Sequence, residues 1–116
     1  MVALFLVLGM ARPMGEVEKL ADQLVQAAGV VRAQAENEIG DFYRAGDDER
    51  AAMQSLRRLE RMAMRFQEGR EDFDGLMRSY SHAAGAVEVL RNRAGVYRAF
   101  RNVQELMDRL APYYSN

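Results

Sequence analysis

The stretch Gly15–Arg44, GEVEKLADQLVQAAGVVRAQAENEIGDFYR, decides the fold. Its apolar residues Val17, Leu20, Leu24, Ala27, Ala28, Val31, Ala35, Ile39 and Phe42 recur at steps of three and four, which is one face of an α-helix. A helix of roughly 30 residues would be roughly 45 Å long, too long to be incidental in so small a chain. The polar residues Glu16, Glu18, Lys19, Asp22, Gln23, Gln26, Arg32, Gln34, Glu36, Asn37 and Asp41 fall mostly off that stripe, so one face needs partners and the other wants water. Beyond Val31 the apolar positions slip by one, to Ala35 and Ile39, where strict alternation would give Gln34 and Glu38. Such a stutter favours a straight bundle helix over a long supercoil.

Working outward from this helix, Arg44-Ala45-Gly46 reads as its end, with a basic last turn and then a glycine where a left-handed cap is usual. Asp47 or Asp48 follows as the N-cap of a second helix, so residues 44–48 form a tight turn and the two helices run antiparallel. Helix 2 spans about Asp48 to Glu68, with Ala52, Leu56, Leu59, Ala63 and Phe66 on one face, Met53 and Met62 beside it, and Gly69 at its end. After Asp72 and Asp74, two candidate caps, helix 3 carries Phe73, Leu76, Met77, Tyr80, Ala83, Ala84, Val87 and Leu90. Past Gly95 the apolar phase resets to Val96, Phe100, Val103, Met107 and Leu110, which predicts a separate helix 4 stopped by Pro112, with a single helix kinked at Gly95 as the alternative. The segments around Ala27-Ala28-Gly29 and Ala83-Ala84-Gly85 repeat one pattern. Because glycine in mid-helix costs about 1 kcal/mol relative to alanine, the repeat predicts that helices 1 and 3 cross closely there.

The sequence before this region, Met1–Met10 (MVALFLVLGM), is the most apolar run, yet it falls short of the roughly 20 residues a membrane span needs. It also lacks the basic start of a secretory signal. Its residues Val2, Leu4, Phe5, Leu6 and Leu8 require cover, either against the bundle or between subunits. The expected organisation is an apolar segment and connector over 1–13, a helical bundle over 14–111 and a tail over 112–116.

Composition narrows the chemistry. The chain has 116 residues, no cysteine, one histidine, two prolines and a formal net charge of −1, so thiolate metal sites, disulfides and thiol nucleophiles are excluded. Sixteen basic side chains include a single lysine, Lys19. Residues 1–48 carry four basic and eight acidic side chains, and residues 49–116 carry twelve and nine, a split that suits self-complementary packing. His82 and Arg78 share a helix face, but neither a second histidine nor a positioned acid accompanies them. The carboxylates lack the Glu-x-x-His spacing of a helical di-metal site, and no phosphate loop, nucleophile elbow or dinucleotide fingerprint is present. The expectation is therefore a non-enzyme without cofactor or metal, placed in the cytoplasm.

Two surfaces remain as candidates. Methionines and aromatics at Met53, Met62 and Phe66, with the apolar segment 1–8, suit a subunit interface. Arg57, Arg61 and Arg65 step by four along helix 2, and Arg91, Arg93, Arg98 and Arg101 cluster around Gly95 with Tyr97 and Phe100 interleaved. Such arginines suit phosphates, with Tyr97 stacking on a base. The sequence thus predicts an all-α antiparallel bundle of three to four helices that self-associates, as a dimer, in the role of adaptor, assembly subunit or small chaperone. A nucleic-acid-binding accessory protein is the alternative.

Overall fold

The computed structural model describes residues 14–40 and 44–115, and the apolar segment 1–8 lies outside them. The described chain is an all-helical bundle with helices α1 (Met14–Ile39), α2 (Asp47–Gln67), α3 (Phe73–Val89) and α4 (Ala94–Leu110), closed by a 3-10 turn at Ala111–Tyr113. Among the described residues no helix is long and apolar enough to cross a membrane.

Each helix is delimited by local chemistry. α1 stops at Ile39 because Gly40 adopts φ of +80°, the left-handed conformation that ends helices, and its N–H donates to the Glu36 carbonyl at 3.0 Å. The expected end at Arg44 and Gly46 is thereby corrected. Gly46 has extended backbone and serves as the N-cap of α2, with its N–H donating to Glu49 Oε1 at 3.3 Å. Asp47 and Asp48 fall inside the first turn of α2, where their charge faces the positive end of the helix dipole. α2 ends before Gly69, at φ of +77°. Asp72 caps α3 by accepting from the Gly75 N–H at 2.8 Å, and a tight turn through Leu90–Arg93 separates α3 from α4.

The helices pack α4–α1–α2–α3 in antiparallel fashion, with α1 lying against both α2 and α4 and α3 lying against α2. One continuous core results, built from Leu20, Leu24, Ala28 and Val31 of α1, Leu56 and Leu59 of α2, Leu76 and Val87 of α3, and Val103, Met107 and Leu110 of α4. Ala35 belongs to it too, so the stutter in α1 keeps the stripe on the core after Val31. The end of the chain docks one aromatic, for the Tyr114 ring stacks on Phe73 at 4.7 Å and meets Phe66 edge-on at 5.8 Å.

The expected crossing of α1 and α3 at the two Ala-Ala-Gly segments does not occur. Gly85 is exposed with open space where a Cβ would stand, and Gly29 faces the Glu60 carboxylate of α2. The helices that carry the two segments occupy opposite corners of the bundle.

Candidate functional site

The arginines divide by whether a neighbouring helix claims them. Arg57 reaches from α2 to α1 and donates to Glu36 Oε2 from Nε at 3.1 Å and from Nη2 at 3.0 Å. Glu36 also accepts from Arg32 at 3.0 Å, and Arg32 in turn donates to Glu60 Oε1 at 2.9 Å. The result is a ladder of alternating charge along the α1–α2 seam. Burial pushes the Glu36 carboxyl up, but the guanidiniums of Arg32 and Arg57 outweigh it and hold the group below its usual range. The Arg32 guanidinium is held firmly charged, first by its hydrogen bond to Glu60 and then by Glu36.

Arg93 reaches two helices at once. Its Nη1 donates to the Glu38 carbonyl at 2.9 Å, in the last turn of α1, and its Nη2 donates to Glu49 Oε2 at 2.8 Å, in the first turn of α2. One side chain in the α3–α4 turn thus ties three elements together and supplies a cation to a helix C-terminus. The Arg93 guanidinium and the Gly46 N–H keep the Glu49 carboxyl below its usual range.

The remaining sequence-predicted contacts are looser. Arg65 lies 3.8 Å from Glu71 and donates to the Arg70 carbonyl at 3.4 Å. Tyr97 is exposed and its hydroxyl donates to Glu88 Oε2 at 3.2 Å. Arg61, Arg91, Arg98 and Arg101 are exposed and form no ion pair among the described residues. The arginines do not converge on one surface. α2 and α4 occupy opposite corners, and a step of four turns about 40° around a helix, which carries Arg57 to the α1 seam while Arg61 and Arg65 face outward.

The apolar candidates also separate. Met53 and Phe66 are buried within the bundle and Met62 is partly buried, so these side chains complete the chain's own core. Val2, Leu4, Phe5, Leu6 and Leu8 lie outside the described residues. Exposed aliphatic side chains are Val30 on α1, Met64 on α2 and Val89 on α3. Val30 is 57% exposed on α1, beside a groove of about 360 Å³ that runs between α1 and α4. Ala27, Val30 and Leu106 form its apolar centre, and Gln23, Gln26, Asn102, Glu105 and Arg109 form its rim. A narrower slot of about 240 Å³ lies between α3 and α4, floored by the Tyr80 and Phe100 rings stacked at 5.7 Å. Burial there raises the Tyr80 hydroxyl pKa, with Asp108 adding to it.

Sequence reasoning passed over the α1–α4 groove, although Val30 carries a signal. It is an apolar residue on the polar side of an otherwise well-ordered stripe. His82 and Arg78 are both exposed, and no group of three or more His, Asp or Glu side chains able to hold a metal ion gathers among the described residues. Comparison with known protein families, curated proteins and solved structures finds no match for this chain.

Proposed function

We propose that this chain is a non-enzymatic helical interaction module that self-associates and acts as an adaptor, assembly subunit or small chaperone. The observation that carries this reading is the α1–α4 groove. The bundle encloses its stripes in a single core, yet Val30 stays 57% exposed beside Ala27 and Leu106 in a channel framed by amides and charges. An apolar centre with a polar rim is the anatomy of a protein interface, and a groove between two helices suits a third helix laid along it.

Phosphate binding is supported only by Arg61, Arg91, Arg98 and Arg101, which are exposed and form no ion pair among the described residues. Arg57 and Arg93 already serve Glu36, Glu49 and the end of α1. Affinity for DNA or RNA that falls steeply with salt would favour that alternative.

Light scattering of the full chain beside a chain starting at Met10, over a dilution series, tests the self-association reading. A defined oligomer for the full chain is expected. Should the shorter chain dissociate, the apolar N-terminus takes part in assembly. A full chain that is monomeric throughout overturns the proposal.

A further inference from the structure

We propose that a second copy of this chain occupies the α1–α4 groove, docked about a twofold axis that crosses α4 between Glu105 and Arg109. The inference rests on the self-association reading and adds to it the face and the symmetry. A twofold interface lays a patch upon itself, so each group must find its complement within the same patch.

The groove meets that condition in each of its parts. Glu105 and Arg109 stand one turn apart on the exposed side of α4, and neither forms an ion pair among the described residues. With the two α4 helices antiparallel, Glu105 stands opposite the partner subunit's Arg109 and Arg109 opposite the partner subunit's Glu105. One favourable contact is therefore made twice. The rim residues Gln23, Gln26 and Asn102 each carry both a donor and an acceptor, so each can meet a polar group of either kind set opposite it. At the centre, laying the two grooves together withdraws Val30, Ala27 and Leu106 of both copies from water.

Two other faces fail the same test. The outer face of α2 presents Arg58, Arg61 and Arg65, and folding it on itself would set arginine against arginine. At the α3–α4 slot the acid on the rim, Glu88, is already engaged by Tyr97.

Charge reversal in the full chain tests the arrangement by sedimentation equilibrium. Glu105→Arg alone, or Arg109→Glu alone, opposes like charges at both symmetric contacts and should weaken the dimer on the order of tenfold. An equimolar mixture of the two variants restores opposite charges at every contact, so a heterodimer close to wild-type affinity is expected. The double variant Glu105→Arg/Arg109→Glu should likewise recover the homodimer. Single variants that dimerise like wild type would overturn this face while leaving self-association standing. Weakened variants whose mixture does not recover would overturn the twofold pairing. A monomeric wild type would overturn both.

Discussion

The two mid-helix glycines give opposite stability predictions from one substitution. Gly85 lies on the exposed flank of α3 with open space where a Cβ would stand. Replacing it with alanine removes backbone freedom from the unfolded chain and meets nothing in the folded one, so Gly85→Ala should stabilise by about 0.4–1 kcal/mol. For a domain of this size that is a rise in Tm of about 2–6 °C. Gly29 has the same intrinsic preference, but its Cβ would stand 2.9 Å from Glu60 Oε2. That carboxylate is fastened by Arg32 at 2.9 Å and is 23% exposed, so displacing it loosens a partly solvated ion pair worth about 0.2–1 kcal/mol. The two effects are of similar size, and Gly29→Ala should change Tm by about 2 °C or less in either direction. Thermal unfolding followed by circular dichroism at fixed protein concentration measures both. In a Glu60→Ala background the obstacle is gone, and Gly29→Ala should then gain as much as Gly85→Ala. Loss of stability in Gly85→Ala would refute the reasoning, because it would mean that a neighbouring helix approaches that glycine.

Further predictions follow from the core, a cap and the charge ladder. Leu59, fully buried where α2 meets the core, should cost about 3–4 kcal/mol on truncation to alanine, measured as a shift in the urea midpoint at unchanged slope. Asp72→Ala leaves the Gly75 N–H without its acceptor at the start of α3 and should cost about 1 kcal/mol by the same measurement. The Glu36 and Glu49 carboxyls are held below their usual range by arginines, so their contribution to stability is complete above the ordinary carboxylate pKa and is lost as pH falls through the lowered folded values. The urea midpoint should therefore show no loss from these two groups between neutrality and about pH 5, and should drop below about pH 4.5. Glu36→Gln should lower stability at neutral pH and make the acid drop shallower.

Much of the architecture was legible because the core is made by periodicity. Leu20, Leu24, Val31, Leu56, Leu59, Leu76, Val103 and Leu110 all sit where spacing alone puts a buried face, and all are buried. The boundary of α1 was harder to see. Gly40 lies between Ile39 and Phe42, which carry the apolar pattern onward, while Gly46 has the basic neighbour expected at a helix end. Only the backbone angles distinguish them: φ is +80° at Gly40 and −68° at Gly46. The destinations of the arginines were not legible, since Arg57, Arg61 and Arg65 look alike in sequence. What separates Arg57 is Glu36, twenty-one residues away and brought alongside only by the packing of α1 on α2. Met53 shows the same limit, for a residue at the edge of a stripe becomes core or surface according to how the helices pack. Val30 stood in plain view as an apolar residue on a polar flank. Its significance appeared only once α4 supplied Leu106, Glu105 and Arg109 beside it.

A dilution series followed by backbone amide NMR shifts tests the central claim most directly, because it reports both whether the chain associates and through which face. The account predicts concentration-dependent shifts grouped on Gln23–Val30 of α1 and Asn102–Arg109 of α4, with the outer face of α2 unaffected. Shifts centred on Arg58, Arg61 and Arg65, or a spectrum that does not change with concentration while the chain sediments as a monomer, would contradict it.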